Sequence, residues 1–144
     1  MSRGVFSYII DALKPYSLMV AFALLGLTAC GQLDTSAVEQ QRVQLKSTVA
    51  EASLLVSGAA QSEFTAPFVK VRAEELSDDA GKAESGLADS QVAPPARARA
   101  AKLREAARLL AAAMDRLSAS PGDPRVAAGL SAQLKQAQAA LDAA

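Results

Sequence analysis

A chain of 144 residues with 15 basic and 15 acidic side chains has no net charge, and so no overall field that would draw it to nucleic acid. It contains no His and no Trp, no Asn, and a single cysteine at Cys30. The commonest general base and metal ligand is therefore missing, a disulfide within the chain is impossible, and usual zinc sites are excluded.

The first predicted element is an N-terminal leader. Arg3 and Lys14 give it positive charge against Asp11, Leu18 to Leu27 is free of charge, and Thr28 and Ala29 are small. A cationic start, a short apolar middle and small residues before a cut are the features of a secretory signal peptide. An uncleaved spanning helix is the alternative, but it needs about 20 apolar residues. Extending the apolar run toward the N-terminus would place Asp11, Lys14 and Pro15 inside the span.

Leu27-Thr28-Ala29-Cys30 resembles the lipobox of bacterial lipoproteins, over residues 1–31 only. The resemblance implies that Leu27, Thr28 and Ala29 are read by the lipoprotein signal peptidase. Residues 1–29 would be removed, and Cys30 would become the first residue of the mature chain, carrying a covalent lipid and no other cofactor. More than one acyl chain holds a protein stably on a bilayer. Gly31, where inner-membrane lipoproteins have Asp, implies the outer membrane and its periplasmic face. Residues 30–35 are then the lipidated Cys and a short linker, and 36–144 an Ala-rich helical domain.

Alanine density in that domain predicts helices. Ser36-Ala37-Val38-Glu39 reads as a capping box opening a helix to about Ala60, with Val38, Leu45, Val49, Ala52 and Val56 as its apolar stripe. A second helix is predicted from Pro67 to about Ser90, with Phe68, Val71, Leu76, Ala83 and Leu87 facing inward. Gly81, Gly86 and Ser77-Asp78-Asp79 weaken it, and a loop over 77–95 is the alternative. Pro94-Pro95 ends whatever precedes it.

The third helix is expected from about Pro95 to Ser118, with Leu103, Ala106, Leu110, Ala113 and Leu117 inward. After Ser120-Pro121-Gly122-Asp123-Pro124, where Asp123 can cap and Pro124 can open a helix, a fourth follows with Ala127, Leu130, Leu134, Ala137 and Leu141 inward. Both stripes alternate three and four residues across a short turn, which predicts an antiparallel pair. The fold class is all-α: a helical hairpin or small three- to four-helix bundle after the signal-peptide helix.

No Gly-x-Ser-x-Gly elbow, phosphate loop, dinucleotide fingerprint or calcium loop is present. Glu74-Glu75 and Asp78-Asp79 point to different sides of a helix, which suits a solvated face better than a catalytic pair. Five bases, Arg97, Arg99, Lys102, Arg104 and Arg108, open the third helix and follow an acidic stretch from Glu74 to Asp89. They form a candidate patch for an anionic envelope ligand, against the simpler reading that they meet acids of the same chain or are solvated.

Small helical murein lipoproteins are a further likeness in class. This chain departs from them by ending Leu141-Asp142-Ala143-Ala144, without the terminal Lys that is joined to the cell wall, and by its proline breaks. The function expected is a non-enzymatic structural or protein-interaction element of the envelope. Its partners would be the membrane, through the lipid, and either an envelope protein or further copies of itself.

Overall fold

The computed structural model describes residues 33–88 and 91–144. The leader residues, including Leu27, Thr28, Ala29, Cys30 and Gly31, lie outside the described residues.

Helix α1, Thr35–Ala60, starts at Asp34, whose carboxylate accepts from the Ala37 backbone N–H at 2.8 Å. This corrects the expected capping box. A carboxylate at the N-terminus satisfies a free N–H and also meets the positive end of the helix dipole, so Asp34 displaces Ser36 from the role. Glu39 is left to pair with Arg42 at 3.0 Å and with Arg99 at 3.4 Å. The helix closes with Ser62 in the left-handed region, φ 58°. The Ser62 N–H donates to Ala59 and the Glu63 N–H to Gly58, the paired bonds of a Schellman end.

Helix α2, Ala66–Gly86, places Pro67 in its first turn. It continues through Ser77, Gly81 and into Gly86, so irregular chain begins only after that point. Its inward residues are Val69, Ala73, Leu76 and Ala80, while Phe68 and Val71 are exposed, which corrects the expected stripe in the first half of the helix. A short 3₁₀ turn, Pro94–Ala96, leads into α3, Arg97–Ala119. Asp123 then accepts from the Arg125 N–H at 2.8 Å, and Pro124 opens α4, Pro124–Asp142.

Cross-helix bonds fix the directions. Arg72 of α2 reaches Glu51 of α1, Ser77 of α2 reaches Asp115 of α3, Gln133 of α4 donates to the Leu109 carbonyl of α3, and Arg42 of α1 donates to the Leu141 carbonyl of α4. Each helix thus runs against its neighbours in the order α1, α2, α3, α4. The described residues form an up-down-up-down four-helix bundle in which α4 returns beside α1. The predicted α3–α4 pairing is present, and α2 packs on α3 more extensively still.

One apolar core runs through all four helices. Every predicted inward residue of α1, α3 and α4 is buried in it. Ala100, Ala106, Ala107 and Ala113 are fully buried on α3, which lets that helix touch α1 across the bundle as well as its two neighbours. No polar or charged residue is buried among the described residues.

One end of the bundle gathers the start of α1, the end of α2, the start of α3 and the end of α4. There Leu33 pairs with Val92 as an isolated parallel bridge, its N–H donating to Gln91 at 2.6 Å and its carbonyl accepting from Ala93 at 2.9 Å. No helix among the described residues is long and apolar enough to cross a membrane.

Candidate functional site

The five cations at the start of α3 were the one charged constellation singled out in the sequence, and the helix divides them. Arg97, Arg104 and Arg108 are seven and eleven residues apart, close to whole turns, and so share a side. Arg99 and Lys102 lie round the helix from them.

The second group is tied into the end of the bundle. Arg99 pairs with Glu39 of α1, and the Lys102 ammonium donates to the Ala143 carbonyl beyond α4. Together they line a shallow depression with Thr35, Pro95 and Ala144. A cation near the last carbonyls of a helix also stabilises the negative end of its dipole, by roughly 0.3–1 kcal/mol. Lys102 therefore has a structural task at the end of α4.

In the first group, Arg97 donates from Nε to the Val92 carbonyl at 3.3 Å, which braces the connection between α2 and α3. Arg104 is half-buried and Arg108 exposed. The two line a shallow cleft with Ala101, Glu105 and Glu84, the last from α2. An anion entering there would meet two carboxylates as well as two guanidinium groups.

The acidic residues are likewise dispersed over the surface. Glu74 lies 3.8 Å from Lys70 and Asp79 lies 3.1 Å from Lys82, each within one helix turn. Glu51 and Glu75 do converge, but on the Arg72 guanidinium, which links α1 to α2. The hydrogen bonds that Arg72 donates to them, those to Glu51 first, hold it even further toward its charged form than usual. No group of three or more His, Cys, Asp or Glu among the described residues is placed to hold a metal ion.

What the sequence did not single out is a set of exposed large apolar side chains. Val43, Leu54, Phe64, Phe68 and Val71 are the large apolar side chains left exposed among the described residues. All five lie on α1, α2 or the loop between them. The Phe64 ring lies over Gly58 and stacks at 53° to Phe68, with centroids 5.3 Å apart. Val43 and Leu54 fell outside every predicted stripe, and Phe68 and Val71 were assigned to the core. On α1 the signal was Val43, Ala50 and Leu54, which lie together about half a turn from the predicted stripe.

No protein-family model, curated protein or solved structure matches this chain.

Proposed function

We propose that the chain is a lipid-anchored protein of the bacterial envelope, at the periplasmic face of the outer membrane, acting as a non-enzymatic structural or protein-interaction element. The observation that carries this reading is the position of Cys30. It ends the apolar run of the leader as the last residue of Leu27-Thr28-Ala29-Cys30, and only Gly31 and Gln32 separate it from Leu33 at the end of the bundle. Three residues of extended chain reach about 10 Å. A lipid on Cys30 would hold the bundle close to the bilayer.

The rest of the chain suits presentation rather than chemistry. Six of its acids, Glu39, Glu51, Glu74, Glu75, Asp79 and Asp142, pair with Arg or Lys, and large apolar side chains are exposed on the surface of α1 and α2. Anchoring concentrates that surface in two dimensions and leaves it available to a protein partner.

Labelling cells with a tagged fatty acid tests the anchor. A labelled band is expected for the native chain and none for Cys30→Ala, and inhibition of the lipoprotein signal peptidase should leave the larger precursor. Label that persists without Cys30 overturns the reading.

The second reading is an anionic envelope ligand at the α3 cations, of which Arg104 and Arg108 line one shared cleft. Binding of an anionic lipid vesicle that falls with salt, and falls again in Arg104→Gln with Arg108→Gln, would favour it. Binding indifferent to both would remove it.

A further inference from the structure

On α1 the exposed residues have a period. Ser36, Gln40, Val43, Ser47, Ala50, Leu54 and Ser57 are all exposed, at spacings alternating between four and three, and none is charged. Such alternation keeps a seam on one side of a helix. It lies opposite the buried stripe of Val38, Leu45, Val49 and Val56, so the bundle itself leaves it uncovered. Val43 is 63% exposed and Leu54 72%, eleven residues apart and about three turns along the same side.

A solvated helix face ordinarily carries the charges. On α1 this is reversed. Its four charged residues, Glu39, Arg42, Lys46 and Glu51, are all half-buried at the margins, while every exposed position of the helix is uncharged. Lys46 borders α4, where it pairs with Asp142 at 3.1 Å, and Glu51 borders α2, where it meets Arg72.

We infer that this face is a self-association surface on which a second copy of the chain packs its own α1, parallel and in register. Charge complementarity selects that occupant and that direction. In a parallel pair, a residue flanking the seam on one side of the first helix faces the opposite flank of the second, one turn and a half further along. Lys46 then stands across from the second copy's Glu51, and Glu51 across from its Lys46, giving two symmetric opposite-charge pairs around Ser47, Ala50 and Leu54. An antiparallel pair instead brings like flanks together, Lys46 edge to Lys46 edge and Glu51 edge to Glu51 edge.

Parallel helices also suit two chains held at one surface by the segment that precedes α1. In that point alone the inference rests on the anchored reading. With only Val43 and Leu54 large, the seam is weak between free molecules, and tethering on a shared surface supplies the effective concentration.

Cysteine crosslinking of the full chain in cells tests it. Ser36→Cys, Ala50→Cys and Ser57→Cys each add one thiol to the seam, near its start, middle and end. Gln136→Cys on the exposed side of α4 controls for collision, and the parent chain sets the background from Cys30. Under mild oxidation all three seam variants are expected to give a species of twice the chain mass, several-fold above Gln136→Cys. Crosslinking at Ala50→Cys but not at the two ends overturns the parallel register. Failure at all three, or crosslinks only to a species of other mass, overturns a second copy as occupant.

Charge exchange gives an independent readout in the Ala50→Cys background. Lys46→Glu and Glu51→Lys should each lower the crosslinked fraction several-fold, and their combination should restore it. If the two charges serve only their partners within the chain, Asp142 and Arg72, the combination will be worse than either single change, which overturns the pairing. Fatty-acid label on Cys30, read from the same cells, separates the two readings. Label without dimer overturns this inference alone, whereas dimer without label overturns the anchor and leaves the seam supported.

Discussion

Gly58 and Gly81 both sit inside helices, yet an added methyl group meets opposite surroundings. At Gly81 an ideal Cβ has nothing within 4 Å, whereas at Gly58 it overlaps the Phe64 ring. Gly81→Ala should therefore return the helix-propensity difference and raise stability by about 0.5–1 kcal/mol. Gly58→Ala gains less, so near a helix end, and must also push Phe64 off its seat against Phe68, an aromatic pair worth about 0.5–1.5 kcal/mol. In urea titrations Gly58→Ala is expected to fall about 1 kcal/mol below Gly81→Ala. Equal stabilisation by both would show that the Phe64 ring is not held over Gly58. The same glycines mark where the sequence was hardest to read. Gly81 and Gly86 each weaken a helix by about 1 kcal/mol, which argued for a loop. The helix continues because Leu76 and Ala80 are buried on the same stretch, and burial outweighs local preference.

At the scale of elements, the difference between α2 and the other three helices shows what made their faces legible. On α3 and α4 only one apolar series runs the length of the helix, and its residues are the buried ones. On α2 two series interleave, since Phe68 and Val71 precede the shared Leu76, Ala83 and Leu87. Residue size favoured the wrong one. Stepping back from Leu87 by four and three instead gives Ala83, Ala80, Leu76, Ala73 and Val69, which is the inward series. Small Ala residues were undervalued as core, although close helix packing depends on them. The two valines make a direct comparison. Val69→Ala removes fully buried methyl groups and should cost about 1–3 kcal/mol, while Val71→Ala on the exposed side should change stability by less than about 0.5 kcal/mol. Similar losses for both in thermal or urea unfolding would contradict the register of α2. The cap of α1 was misread for a related reason: Ser36 and Glu39 matched a pattern, but Asp34, two residues earlier, supplies the stronger acceptor. The α3 cations were likewise legible as a run of charge and illegible as a surface, because Arg97, Arg99 and Lys102 have chain partners from three other segments.

At the scale of the whole molecule, an up-down-up-down bundle has to fasten its last helix to its first, and here the fastening is polar at the end nearest the start of α1. Arg42 donates to the Leu141 carbonyl at 3.2 Å, and Lys46 pairs with Asp142, while Leu141 itself is fully buried beneath them. The Asp142 carboxyl is held below its ordinary value by a hydrogen bond from Gln138 first and then by Lys46, with Arg42 adding its charge. A carboxyl depressed in the folded state binds protons more readily when unfolded. Its stabilising contribution is thus present in full above the unfolded value of about 3.9 and is lost as pH falls through the lower folded value. Stability owed to this group should be level from pH 7 to about pH 5 and decline below about pH 4. Asp142→Asn isolates it. The variant should unfold at lower urea than the native chain near neutrality, and the difference should shrink in acid, where the native carboxyl is protonated as well. A difference that persists undiminished in acid would mean that Asp142 acts through packing and not through charge, and that the closure of α4 on α1 rests on Arg42 and the burial of Leu141 alone.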